Sequence, residues 1–212
     1  PPAAGKSTQC ALLKQRYGLL HLSSGGILRA EAARDTPLGK RIKALIDKGD
    51  MVEDELILEL VRERLAHPDN VNRGWILDGF PRTLRQAKLL RQLGHDPDFV
   101  IHLPVREDQA LARASQRVLD PTTDQSLQME TKRLTPGPSG TPARRPDDAP
   151  EIAAKRFRDY TLHIGALEQF YKDRWLQIDG GKDIHQVCTA LEASIDNWHL
   201  RRAGPQAQIA RT

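Results

Sequence analysis

The sequence predicts an α/β fold, and three observations carry the prediction. Short apolar runs alternate with stretches of 3.6-residue periodicity. A Gly5-Lys6-Ser7-Thr8 turn opens the first helical stretch, and an apolar run ending in Asp78 leads into Gly79-Phe80-Pro81-Arg82. Alternation of this kind packs helices on both faces of a mostly parallel sheet, a three-layer α/β/α arrangement. Gly-Lys-Ser-Thr at a strand-to-helix turn marks that arrangement as a phosphate-loop (P-loop NTPase) fold.

Taken in order, strands are expected at 19–22, 74–77, 99–105 and 175–178. Helices are expected at 6–16, 25–33, 38–48, 53–65, 84–93, 108–117, 149–173 and 184–200. Glu53-Asp54-Glu55 at one helix start and Lys48-Gly49 at another's end are the charge and capping signals such boundaries favour.

Pro1-Pro2-Ala3-Ala4-Gly5-Lys6-Ser7-Thr8 fits G-x-x-x-x-G-K-[ST] except for its first glycine, which would fall one position before Pro1. Small residues let backbone N–H groups curl around phosphate oxygens, the helix N-terminus adds partial positive charge, and Lys6 adds a mobile full one. Ser7 is placed to help hold Mg²⁺. Such loops follow a buried strand near the middle of the sheet, and nothing apolar precedes the loop here. The first strand is therefore expected to be missing from this sequence, and the chain to be less stable than one that carries it.

With 39% hydrophobic and 28% charged residues over 212 positions, the chain can bury the core of one domain with an insertion. No apolar run approaches the ~18 residues of a membrane span, so the expectation is a cytoplasmic protein, without a membrane partner and monomeric. An organellar form stays open, because the true N-terminus is not in view. Cys10 and Cys188 form neither a disulfide framework nor a Cys-x-x-Cys pair, so no structural zinc is expected. A net charge of +4 and a pI near 9.2 are met by dispersed basic residues and only 5% aromatics. That pattern fits a cationic cleft for polyphosphate, not a nucleic-acid surface.

One stretch breaks the alternation. Residues 118–148 are rich in proline, poor in large apolar side chains and carry Arg144-Arg145. Arginines bracket them, Arg113 and Arg117 before, Arg145 and Arg156 after, which favours a functional lid over an idle insertion. Residues 201–212, polar with Gly and Pro, read as a disordered tail. Asp78 at a strand end suits Mg²⁺ held directly or through water, and Arg82 follows at the sheet edge where open α/β folds bind ligands.

Pro2 to Cys10, Leu22-Ser23-Ser24-Gly25-Gly26-Ile27-Leu28-Arg29, Asp78-Gly79-Phe80-Pro81-Arg82-Thr83, Arg145-Pro146-Asp147-Asp148 and Lys155-Arg156 together resemble the ordered motifs of adenylate kinases. The resemblance runs from Pro1 to about Trp198, within a kinase domain expected over 1–200. It implies that Ala3, Ala4, Gly5, Lys6, Ser7 and Thr8 hold ATP phosphates, with Arg113, Arg117 and Lys182 completing the ATP side. It implies AMP contacts from Ser24, Arg29, Asp50, Met51, Val52, Gly79, Phe80, Pro81, Arg82, Gln86, Arg145 and Arg156. Residues 23–52 would form a helical AMP-binding flap and 116–148 the lid. Lys6, Arg82, Arg117, Arg145 and Arg156 would carry catalysis, with Ser7 and Asp78 serving Mg²⁺.

The sequence also departs from that family. Ala3 replaces a glycine, which predicts strain if the position takes positive φ. Gly26 replaces an Asp that helps hold metal-bound water, Val118 replaces an arginine, and Leu127 stands where an aromatic pair is usual in long lids. Three readings follow: an adenylate kinase acting on ATP and AMP, a UMP/CMP-type kinase, or a weakly active nucleotide-binding module. The length of 118–148 favours the first.

Overall fold

The computed structural model describes residues 1–67, 74–119, 126–128 and 146–203. Helix α1 (Lys6–Tyr17) starts from Gly5 at φ 82° and stops at Gly18 at φ 67°, left-handed conformations that a side chain would strain. Strand β1 (Leu20–Ser23) runs into α2 (Ser24–Ala32), capped by the Ser23 hydroxyl accepting from the Gly26 N–H. Thr36 caps α3 (Pro37–Asp47), with Pro37 in its first turn, and acidic Asp54 and Glu55 open α4 (Asp54–Leu65).

Strand β2 (Trp75–Asp78) leads to a turn with a cis Phe80–Pro81 bond and then to α5 (Leu84–Gln92), capped by Thr83. Beyond it come β3 (Val100–His102) and α6 (Glu107–Ser115), then β4 (Arg117–Leu119) and β5 (Ser126–Gln128). A 3₁₀ turn at Pro146–Asp148 precedes α7 (Pro150–Phe170). A second 3₁₀ turn (Lys172–Arg174), β6 (Trp175–Gln177) and α8 (Ile184–Ala203) complete the described chain.

All the expected strands and helices form, with boundary shifts that have local causes. The helix expected over 149–173 ends at Phe170, because Tyr171, 1% exposed, turns inward against Ala87 and Leu167. The helix expected over 108–117 ends at Ser115, because Arg117 already belongs to a strand. Helix α8 runs three residues into the expected tail, to Ala203; the rest of that tail, 204–212, lies outside the described residues.

The pairing is parallel, as expected, and among the described residues β1 pairs with β2 alone and β3 with β6 alone. Among the described residues no ladder joins β2 to β3. The core divides accordingly. Leu22, Ile57, Val61, Phe80 and Leu90 pack around the first pair. Leu13, Leu103, Val105, Val187, Leu191 and Ile195 pack around the second. Between the two halves opens a cavity of about 1150 Å³. Strands β4 and β5 pair antiparallel, Arg117 opposite Gln128, inside the stretch that sequence reading left without structure. Residues 120–125 and 129–145 of that stretch, Arg144 and Arg145 included, lie outside the described residues.

Candidate active site

The phosphate loop forms one wall of the cavity. Ala3 sits at φ 53°, the left-handed region that its sequence position had raised as a possibility. Gly5 follows at φ 82°, so two residues of the loop turn against the usual hand within three positions. The Lys6 ammonium donates from Nζ to the Pro1 carbonyl. Burial, opposed by Asp78 and reinforced by Arg82, Arg156 and Arg117, pulls the Lys6 ammonium down to about 8.

Strand β2 delivers Asp78 to the floor of the same space. The Ser7 hydroxyl donates to Asp78 Oδ2 at 2.5 Å, and His21 Nε2 stands 3.5 Å from that oxygen. Burial works to raise the Asp78 pKa, but contact with His21, the Lys6 charge and the Ser7 hydrogen bond outweigh it and keep the group below the ordinary carboxylate value. Asp78 and Ser7 thus offer adjacent hard oxygen donors at the loop.

The turn after β2 aims Arg82 into the cleft by one backbone conformation and two hydrogen bonds. Gly79 takes φ 76°, Arg82 Nε donates to the Gly79 carbonyl at 2.7 Å, and the Arg82 N–H donates to Gln86 Oε1 at 2.7 Å. Ser24 is 3% exposed and donates its hydroxyl to the same Gly79 carbonyl at 2.9 Å. Its proton therefore braces the turn. Gln86, also 3% exposed, donates Nε2 to Asp54 at 2.7 Å, so its amide ties α5 to α4.

Opposite stand the other arginines, each held by an oxygen. Arg117 Nε donates to Asp148 Oδ2 at 2.8 Å and its Nη2 to Oδ1, a fork on one carboxylate. Arg156 donates to the Asp147 carboxylate and to its carbonyl. Arg113 reaches the carbonyls of Gly180 and Gly181 at 2.7 and 3.2 Å, beside Lys182. Lys155 pairs with Asp50 and thereby joins α7 to the segment that carries Met51 and Val52.

Every described residue that sequence reading assigned to ATP, AMP or metal lines this one cavity. Arg145 lies outside the described residues. Sequence reading missed the partners of the cations. Asp147 and Asp148 sat in a quoted motif without a role, although two acids beside a helix that carries Arg156 were the available signal. Cys10 and His21 were not connected to Asp78, because no local spacing joins α1 to β1. Among the described residues no helix is long and apolar enough to cross a membrane.

A sequence profile of the family described as adenylate kinase matches residues 1–175. An adenylate kinase of Azorhizobium caulinodans is 38% identical over 202 residues, 92% of this chain and 95% of that protein. The chloroplastic adenylate kinase of Zea mays is 36% identical over 200 residues, 90% of this chain and 86% of that protein. The probable adenylate kinase 2, chloroplastic, of Oryza sativa is 36% identical over 203 residues, 92% of this chain and 67% of that protein. With a profile over most of its length and relatives of this identity, the chain belongs to the adenylate kinase family.

Proposed function

We propose that this chain transfers the γ-phosphoryl group of ATP to AMP, reversibly and with Mg²⁺, giving two ADP. The observation that carries the reading is the convergence of Lys6, Arg82, Arg113, Arg117 and Arg156 on one cleft that also holds the phosphate loop and Asp78. A phosphate monoester has a second pKa of about 6, so the AMP phosphate is largely a dianion at neutral pH and attacks without a dedicated base. Alignment and positive charge around a loose transition state are what the protein supplies.

Lys6 and the loop N–H groups hold the ATP phosphates. Arg82 with Arg29 grips the acceptor phosphate, and Arg117, Arg156 and Arg145 bridge donor and acceptor. The donor set of Ser7 and Asp78, hard oxygens joined by a 2.5 Å hydrogen bond, fits Mg²⁺. When bound, that ion neutralises phosphate charge. Residues 23–52 act as the AMP flap and 116–148 as the lid, excluding the water that competes with AMP. We further propose that a parallel strand fills the slot between β2 and β3 and completes one sheet, a reading supported by the split core and the cavity between its halves.

The test is ADP production from ATP and AMP against a Lys6→Met control, repeated with UMP and CMP as acceptors. Turnover with AMP above that control supports the reading, and better use of UMP or CMP overturns the choice of acceptor. A weakly active nucleotide-binding module is the second reading, favoured by the positive φ of Ala3. Binding of a bisubstrate dinucleotide without turnover would select it.

A further inference from the structure

Cys10, His21 and Asp78 come from three elements, α1, β1 and β2, and meet beneath the phosphate loop. One ligand atom from each, a thiol sulfur, an imidazole nitrogen and a carboxylate oxygen, lies within 4.8 Å of the other two. The sheet register explains two of them. His21 pairs with Ile76, so Asp78, two residues on, projects from the same face of the adjacent strand. Helix α1 lies against this pair of strands and brings Cys10 over it.

The group is secluded and only partly employed. Cys10 is 9% exposed and Asp78 6%. His21 Nε2 is buried, and its contact with Asp78 Oδ2, at 3.5 Å, is too long for a full hydrogen bond. Phosphoryl transfer as described above gives no role to Cys10 or His21.

Sulfur, imidazole and carboxylate together form a donor set of borderline softness, the set that tetrahedral Zn²⁺ prefers. With metal–ligand distances of about 2.0–2.3 Å, neighbouring ligand atoms in such a site lie about 3.5 Å apart. His21 Nε2 and Asp78 Oδ2 already stand at that spacing, 3.5 Å apart, and the Cys10 sulfur completes a group within 4.8 Å, which leaves a fourth position for water or the Ser7 hydroxyl. Mg²⁺ demands oxygen ligands in near-octahedral array and does not take the thiol.

We propose that Cys10, His21 and Asp78 form a second cation site, selective for thiophilic divalent ions of the Zn²⁺ class, whose occupation removes the Asp78 carboxylate from the service of Mg²⁺. Binding stands on the geometry alone. Inhibition rests on the kinase reading.

The step balances as Cys–SH plus M²⁺ giving Cys–S–M⁺ plus H⁺, with the lone pair of His21 Nε2 as the second donor. Burial pushes the Cys10 thiol well above its ordinary value, with Asp78 and Lys6 the charged groups facing it. A cysteine thiol, with an ordinary pKa of about 8.5, carries its proton at neutral pH, and a thiolate ligand must shed it, so metal uptake releases about one proton.

The experiment titrates ZnCl₂ into the full chain by calorimetry in two buffers of different ionisation enthalpy. Expected are one ion per chain, release of about one proton, and at least ~10-fold weaker binding in Cys10→Ser and in His21→Asn, since even loss of a supporting outer contact costs that much. In the unsubstituted chain, Co²⁺ bound in place of Zn²⁺ should give a thiolate-to-metal absorption band that added Zn²⁺ abolishes and Mg²⁺ leaves unchanged. That measurement decides the site even if a variant fails to fold. No binding, binding without proton release, or equal affinity in both variants overturns the site. In a catalytically active protein, turnover at fixed Mg²⁺ and ATP should fall on Zn²⁺ addition, and unchanged turnover at full occupancy overturns the inhibitory half. A protein that binds Zn²⁺ yet makes no ADP under any condition keeps the site and defeats the kinase reading.

Discussion

Lys6 illustrates how one buried cation couples binding to protons. Its folded pKa of about 8 lies below the ordinary 10.5, chiefly through burial. Between those values the unfolded chain holds more protons than the folded one, so this group's contribution to stability rises as pH rises through the window. A polyphosphate against Lys6 restores the charged form. ATP binding at pH 8 to 9 should therefore take up a fraction of a proton, and near pH 6.5 none through this group. Calorimetry across buffers reads the uptake, and its persistence in Lys6→Met would refute the assignment. Ala3 offers a second test at this scale. A left-handed residue with a Cβ costs about 1–2 kcal/mol, partly offset by the greater unfolded freedom of glycine. Ala3→Gly should raise unfolding stability by about 1 kcal/mol, measured by denaturant titration.

Elements here are joined at points too tight for ordinary side chains or too charged to cut on one side only. A Cβ at Gly39 would come within 2.4 Å of the Arg34 carbonyl and 2.7 Å of the Glu31 carbonyl, so α3 can start where it does only with glycine. Gly39→Ala should cost about 1–3 kcal/mol and, through displacement of α2 and α3, weaken AMP binding more than ATP binding in equilibrium titrations. The Arg117–Asp148 fork ties the entry of β4 to the turn before α7. Arg117→Ala strands a carboxylate that is 7% exposed, a change that typically costs about 3–5 kcal/mol. Adding Asp148→Asn should return much of that stability, read as thermal midpoint, without returning kcat. Recovery of both would make Arg117 a structural residue only. These joints also mark what was legible beforehand. Periodicity and capping located nearly every helix because both are local, and Gly-Lys-Ser-Thr and Asp-Gly-Phe-Pro-Arg located the cleft because phosphate binding needs them contiguous. The β4–β5 pairing was illegible, since its strands are three residues each and lack alternation. The pairing of Asp147 and Asp148 with their arginines depends on distances that no spacing along the chain encodes.

At the scale of the molecule, two half-cores face one another across a cavity of about 1150 Å³, and each presents a strand edge, β2 and β3, that no other described residue pairs. A chain extended ahead of Pro1 by an apolar strand ending in glycine should bind less of a hydrophobic dye and melt at least about 4 °C higher, the shift expected for 1–2 kcal/mol in a domain of this size. An unchanged midpoint would mean that nothing seats in the slot. The cations of the cleft carry a different consequence. Arg117, Arg156 and Lys155 already hold Asp148, Asp147 and Asp50 as counter-ions. Under the proposed function an arriving phosphate therefore displaces a resident anion, and the cleft would work as an ion exchanger. Dissolved salt loosens the departing pair and the incoming one alike, and nucleotide affinity should change with ionic strength less steeply than its cations suggest. Asp147→Asn and Asp148→Asn should steepen that dependence, and a slope unmoved by either change would mean that the carboxylates never leave.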